Sequence, residues 1–297
     1  MDGTSTAQAN QTSHQLLGAL ERAEAVDGPA KAIANVVRDK IPPGTVKDLL
    51  SGTFLGHPIH PPLTDTVIGT WLSALILDLS RDRAVRRGAD RLVAIGAAAA
   101  LPAALTGAND WADAESGSDP VRRVGAIHAS TNTAALGLQL ASLAARRRGA
   151  RGRAVALSAT ANGLLAFSGW LGGHLSFGRG IGVDQTVFDP GSDEWTPALP
   201  AADLPSDGPV TATVGDTPIF LVRDGAAIRA VHDRCSHRGC ALSGGTIENG
   251  FVQCPCHGSR FALVDGAILR GPAVAPQPVF ETRERDGQIE VRLEAGA

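Results

Sequence analysis

The chain has 297 residues, 43% of them hydrophobic and 19% charged, with a formal net charge of −3. That balance, with no basic stretch interleaved with aromatics, excludes an electrostatic nucleic-acid binder. The N-terminus MDGTSTAQANQTSHQ lacks the charged and apolar regions of a cleavable signal peptide.

In chain order, residues 1–56 form an amphipathic segment. Leu16, Leu17, Leu20 and Ala23 fall at helical spacing, as do Ile33, Val36, Val37 and Ile41, until Pro42, Pro43 and Gly44 break the pattern. Residues 57–178 hold four long runs with almost no charge: Leu63–Leu79, Leu92–Asn109, Val124–Ala145 and Ala154–Gly178. A bilayer core needs about 20 apolar residues per helix, and a soluble bundle helix shows a charged face that these runs lack. The expectation is therefore a four-helix transmembrane bundle, with Pro102 placed to kink the second helix.

Arginines fill the first connection (Arg81, Arg83, Arg86, Arg87, Arg91) and the third (Arg146, Arg147, Arg148, Arg151, Arg153), whereas the second is mainly acidic. The positive-inside rule puts the first and third connections in the cytoplasm and both termini outside. A Pro- and Gly-containing linker, 179–207, follows. Residues 208–297 then switch to short runs of strand character at 210–214, 218–223, 227–232, 251–254, 261–264 and 288–293. Turn residues separate them, predicting an all-β domain of small antiparallel sheets or a barrel.

All four cysteines lie in this last part, within CSHRGC (235–240) and CPCHGS (254–259). Such clustering marks one local site and not a distributed disulfide framework. Each loop carries a cysteine–histidine pair, Cys235 with His237 and Cys254 with His257, plus a second cysteine, Cys240 or Cys256. A zinc finger usually places two thiolates on one arm and two imidazoles on the other. Mixed arms suit a two-iron cluster with thiolates on one iron and imidazoles on the other, and a structural zinc site is the alternative.

CSHRGC and CPCHGSRF, with GPAVAPQP at 271–278, resemble the two cluster loops and the proline loop of the Rieske [2Fe-2S] family over roughly residues 195–295. The resemblance implies that Cys235 and Cys254 hold the inner iron and His237 and His257 the outer one. It also implies a loop-to-loop disulfide between Cys240 and Cys256, as in cytochrome bc-type members and usually not in oxygenase-type ferredoxins. Neutral imidazole ligands make reduction easier, giving potentials from about −150 to +300 mV. Ser259 matches a serine that donates to a bridging sulfide. Phe261 stands where high-potential members carry a tyrosine, which predicts a lower potential. Arg238 occupies a position that is usually leucine in quinol oxidisers, and an exposed arginine there favours a more polar partner.

The membrane half carries His57 and His60 in GHPIHPPLTD, His128 early in the third run and His174 in GGHLSFG. These motifs resemble a bacterial family of four-helix membrane domains, sometimes fused to Rieske domains, over about residues 50–185. Ionisable groups inside a membrane are costly and often functional. Three readings stand: interfacial residues capping helix ends, axial ligands to haem b or another metal, and a quinol site. His57 and His60 are expected on a non-helical entry segment, leaving His128 and His174 as the better axial pair, with His60 beside them. His14 and His232 read as ordinary surface or structural residues.

The function these features imply is a membrane-anchored [2Fe-2S] protein passing single electrons between redox donor and acceptor proteins or quinol. The alternative is a quinol-oxidising subunit with a quinol or haem site on the outer face of the bundle. The expected location is a bacterial plasma membrane, multi-pass, with the iron-sulfur domain extracytoplasmic.

Overall fold

The computed structural model describes residues 3–294; residues 1–2 and 295–297, at the outer ends of the expected first and last segments, lie outside that range. The chain divides into two compact units, one formed by the chain up to Lys40 with Ile59–Ile181, the other by Ile41–Pro58 with the chain from Gly182 onward.

The first unit is helical: α1 (Gly3–Glu21), α2 (Asp27–Lys40), α4 (His60–Asp78), α5 (Arg83–Ala114), α6 (Asp119–Arg147) and α7 (Arg151–Gly173), with a π-turn at His174–Gly178. The short helix α3 (Thr45–Ser51) belongs to the second unit. Each of the four apolar runs falls on one of α4–α7, and tight connections make sequential helices neighbours. Val67, Trp71, Ala103, Ala135 and Ala161 form the main core. Small residues let the backbones approach closely, and the Trp71 indole donates to the Val93 carbonyl at 3.3 Å. Pro102 lies inside an unbroken α5. The Thr106 hydroxyl lies 3.0 Å from each of the Pro102 and Ala103 carbonyls, one turn on.

Four spans are not shown. Two described helical stretches, Arg83–Gly117 and Arg151–Gly178, are long and apolar enough to cross a membrane. Polar residues lower the other two: Asp65 and Asp78 in α4, and Asn132, Gln139 and a run of hydroxyls in α6. Several of these polar groups are inside the unit. Asp78 and Arg146 are fully buried and paired at 2.5 Å, and Asp90 and Arg151 complete the cluster. Arg146 and Arg151 thus act as partners of buried carboxylates and not as free loop charges, which removes two arginines from the topology count.

Apart from α3 and short helical turns, the second unit is built of two antiparallel sheets. One has the order β1–β10–β9–β4–β3–β2, the other β5–β6–β7–β8. The strands are β1 (Thr196–Pro200), β2 (Pro209–Val214), β3 (Thr217–Asp224), β4 (Ala227–His232), β5 (Thr246–Glu248), β6 (Phe251–Gln253), β7 (Arg260–Ala262), β8 (Ile268–Arg270), β9 (Val279–Arg285) and β10 (Gln288–Leu293). The segment expected as a linker is not a free tether. Its Thr196–Pro200 pairs as an edge strand with β10, a position that tolerates proline. Thr217 donates to Asp189 at 2.5 Å, and the Gln185 amide bonds the Ser236 carbonyl at 3.0 Å. Likewise the expected first segment does not stay together, because Ile41–Pro58 joins the β unit.

Candidate metal centre

The site hangs from strand ends of the β unit. The first loop follows β4, and the second closes the β6–β7 hairpin. The two loops have the same backbone plan. In the first, the Cys235 amide donates to the Cys240 carbonyl and the Cys235 carbonyl accepts from the Gly239 amide, both at 2.8 Å. In the second, the Cys254 amide donates to the Ser259 carbonyl at 2.8 Å and the Cys254 carbonyl accepts from the Gly258 amide at 3.1 Å. Gly239 (φ 75°) and Gly258 (φ 79°) occupy the left-handed region at the same step of each loop, where a side chain costs about 1–2 kcal/mol. Sequence spacing alone dictates this equivalence, since each glycine lies four residues after its cysteine.

The loops bring the expected side chains together. Cys235 and Cys254 are buried free thiols that hydrogen-bond to each other. Cys254 is drawn down to about 7 chiefly by the bond from Cys235, helped by the amides of Cys256 and His257, while that same bond and burial hold Cys235 up. The His237 and His257 rings stand 5.1 Å apart, nearly perpendicular. Burial, and then the charges of Arg238, His257 and Lys47, hold His237 well below the ordinary histidine range, so its imidazole is neutral, as a metal ligand must be. Cys240 and Cys256 are joined by a disulfide with Cα atoms 6.5 Å apart. Arg238, beside His237, is half-buried.

Ser259 is fully buried, and its Oγ accepts from the Ala273 amide at 3.0 Å. No acceptor for its own hydroxyl proton is found among the described residues. A buried donor of this kind, on the residue whose carbonyl takes the Cys254 amide, fits a sulfide of a bound cluster better than a closed protein network. Phe261 is fully buried in the core under the loops, with Val252, Leu263 and Leu242.

Three supporting residues escaped the sequence reading. Arg270 forks onto the Gly258 carbonyl at 2.7 and 3.0 Å and reaches Gln253 at 3.0 Å. Gln277 accepts from the Ser236 amide at 3.1 Å and donates to the carbonyls of His232 and Arg234 at 2.7 and 2.6 Å. Asp233 takes the Ser243 amide and hydroxyl at 2.7 and 2.8 Å. Their only sequence signal is proximity to the motifs, Arg270 directly before the Gly-Pro of the proline loop. His232 is structural, as expected: it is fully buried, its Nε2 donates to the Asp189 carbonyl at 2.9 Å, and its Nδ1 accepts from the Arg234 amide at 3.0 Å.

The family described as Rieske [2Fe-2S] domain matches residues 194–281. The anthranilate 1,2-dioxygenase ferredoxin subunit of Burkholderia cepacia is 36% identical over 100 residues, which cover 34% of this chain and 93% of that protein. The chain belongs to the Rieske [2Fe-2S] family. Membership implies a [2Fe-2S] cluster. The cytochrome b6-f complex iron-sulfur subunit of Chlorobaculum tepidum is 30% identical over 94 residues, 32% of this chain and 51% of that protein. Among solved structures, the ferredoxin of carbazole 1,9a-dioxygenase from Nocardioides aromaticivorans IC177 is similar, with 24% identity, a TM-score of 0.32, and coverage of 34% of this chain and 98% of that one. Residues 56–185 match a family described as a predicted membrane protein (DUF2231). The Rieske chain therefore joins a head of the kind found in both ferredoxins and cytochrome complexes to a DUF2231 domain.

The histidines of the DUF2231 domain are arranged differently from expectation. His60 is the first residue of α4 and not part of a non-helical entry; Pro61 and Pro62 are accommodated because the first turn leaves its amides unpaired anyway. The His60 Nδ1 donates to the Ala103 carbonyl at 2.9 Å. The His128 Nδ1 donates to the Ser168 carbonyl at 2.9 Å, and its Nε2 accepts from Asn132 at 3.1 Å. These two imidazoles lie close enough to interact electrostatically. The His174 Nε2 meets the Glu21 carboxylate at 2.8 Å, in a site completed by Arg179. Both Nε2 atoms of the expected axial pair, His128 and His174, are thus taken by protein groups, and the haem b expectation gains no support. His57 is exposed.

Proposed function

We propose that this chain is a membrane-anchored electron carrier that accepts and releases single electrons at its Rieske head. The observation that carries this reading is the convergence of two equivalent loops on one buried spot, with two thiols, two imidazoles and a cross-link between the loops. Cys235 and Cys254 would hold one iron of the cluster, His237 and His257 the other. When bound, such a cluster supplies one-electron redox chemistry at a potential raised by its neutral ligands. The chain's own residues do the rest. The Cys240–Cys256 disulfide fixes loop separation, Ser259 directs a hydroxyl inward, and Arg270 and Gln277 hold the loop backbones.

Membrane anchoring is supported by the DUF2231 match, by two helices of spanning length and by the apolar residues these helices expose. We place the protein in a bacterial plasma membrane with several spans and the head outside. The disulfide suits an oxidising compartment, and the arginines of the first and third connections agree. Donor and acceptor are redox proteins or quinol.

The test is EPR and visible circular dichroism of the detergent-purified protein, with metal analysis. A Rieske spectrum with iron and acid-labile sulfide in equal amounts is expected; zinc without iron would refute the reading. Protease digestion of intact spheroplasts should cleave the head and spare it in inverted vesicles. A quinol-oxidising role is a second reading, favoured by His60 and His128, whose Nδ1 atoms are both anchored on backbone carbonyls. It predicts cluster reduction by a quinol analogue, lost in His128→Ala.

A further inference from the structure

Two arginines outside the buried ion cluster line one cavity of the helical unit. The cavity lies between α5 and α6, measures about 260 Å³ and is walled by Asp90, Arg91, Ala94, Leu143, Arg146 and Arg147. The charges of the wall do not balance. Asp90 is taken by Arg146 at 2.7 Å and by Arg151 at 2.5 Å, and Asp78 is taken by the same two arginines. Two guanidinium groups thus meet two carboxylates. Arg91 and Arg147 are exposed and have no carboxylate partner among the described residues, so the cavity holds two positive charges in excess.

Beyond these charges the surface turns apolar. Ile95 follows Arg91 by one turn of α5, while Leu143 and Leu140 precede Arg147 by one and two turns of α6, so each stripe shares one helix face. Ala94 and Leu143 line the cavity itself, and Ile95 and Leu140 are 52% and 50% exposed. A pair of cations beside exposed hydrocarbon on two neighbouring helices matches an amphiphile with an anionic head. A free anion would account for the guanidinium groups but not for the apolar stripes. The volume falls below the range of pockets that enclose a whole small molecule, about 300–1,000 Å³, and suits a headgroup whose tails lie outside. We propose that the cavity between α5 and α6 binds the phosphate headgroup of an anionic phospholipid of the cytoplasmic leaflet, with Arg91 and Arg147 clamping the phosphate and the acyl chains lying along Ile95 and Leu140. Guanidinium groups bind phosphate through paired N–H donors, and basic groups at this depth gain from the negative surface of that leaflet. This inference rests on the membrane-anchored reading and adds a lipid-specific site to it.

The test uses the full-length protein in a mild detergent, with native mass spectrometry reading the lipid retained. Phosphatidylglycerol and phosphatidylcholine are added separately, each with and without excess inorganic phosphate. Wild type is compared with Arg91→Gln, Arg147→Gln, their double variant, and a control pair, Arg83→Gln with Arg153→Gln, which removes the same charge from exposed positions outside the cavity. Wild type and the control pair are expected to retain phosphatidylglycerol over phosphatidylcholine, with little displacement by phosphate. Each cavity substitution should weaken retention about ten-fold, the weight of one charge-assisted contact. Equal retention of the two lipids by wild type overturns the proposal, and full displacement by phosphate makes the site one for a free anion; neither result depends on a variant. Unchanged retention in the double variant, or an equal loss in the control pair, overturns it as well. A chain released from membranes by carbonate washing would instead refute membrane anchoring, and this site with it.

Discussion

Replacing Cys240 and Cys256 together by alanine removes a cross-link between residues 16 apart. In the chain-entropy description, closing a loop of that length restricts the unfolded ensemble by about 3 kcal/mol at 25 °C. The enclosed segment includes the Leu242–Gly244 turn, β5, β6 and the ligand Cys254, so its extra freedom is felt at the centre itself. A loss of about 3 kcal/mol is more than a hundredfold in the folding equilibrium. For a unit of this size it corresponds to a fall of roughly 12 °C or more in the unfolding midpoint. The assay is urea titration of the detergent-purified protein, followed by visible circular dichroism of the cluster and by near-ultraviolet signal of the head. Oxidised wild type, dithiothreitol-treated wild type and the double variant are compared. The two proteins lacking the bond should unfold together, well below oxidised wild type, with the same denaturant slope. If the midpoints differ by less than about 0.5 kcal/mol, the loops are held by their backbone bonds and ligands, and the argument for a loop lock fails.

Phe261→Tyr places a hydroxyl in the core beneath the cluster loops and should raise the midpoint potential in a redox titration; no rise would count against the assignment of that position. Burial pushes the Asp48 carboxyl up, against a smaller pull from the Gly271 amide. A raised folded value means that the carboxyl's contribution is fully favourable below its unfolded value near 3.9 and is lost as pH rises through the folded value. Asp48→Asn should therefore raise the thermal midpoint at pH 7 and leave it unchanged at pH 3. In the helical unit, Arg146→Met leaves Asp78 buried with Arg151 alone and should cost about 3 kcal/mol in denaturant titration, with Asp78→Asn added to it restoring part of the loss.

What was legible in the sequence was what local spacing decides. The cysteine, histidine and glycine offsets of the two loops carry their backbone plan, and the strands β2, β3, β4, β6, β7 and β10 follow their apolar alternation. The missed strands have physical reasons. β5 and β8 are as short as β6 and β7 but have no buried residue, whereas β6 and β7 each carry a buried phenylalanine, and β1 contains two prolines, which read as linker until an edge position explains them. β9 ends in Thr-Arg-Glu-Arg, which is half-exposed or exposed and reads as solvated chain. The stretch Ile41–Pro58 is a different case. Nothing local in Ile41–Pro58 indicates that Thr53 bonds a carbonyl 220 residues away, because that placement depends on contacts that only the folded chain supplies. The same holds for Arg146, whose place in an arginine run suggests a loop charge, while its partner Asp78 is 68 residues earlier.

The buried ion cluster also bears on whether the helical unit is a soluble bundle. On α4, Val67, Trp71, Ala74 and Asp78 face inward, while Ile68, Leu72 and Ile76 form an exposed stripe at four-residue spacing. Ile95, Leu101 and Leu105 on α5 and Leu140 on α6 are exposed as well. In water this arrangement is costly twice: large apolar side chains forgo burial worth about 1.5–3 kcal/mol each, and one ion pair, Asp78 with Arg146, is desolvated inside. With hydrocarbon outside, both costs change sign. The exposed stripe is then correctly solvated, and the charges are better paired with one another inside than exposed to lipid. An apolar outside and a polar, paired inside is the pattern that the membrane-anchored reading proposed above requires, independently of helix length.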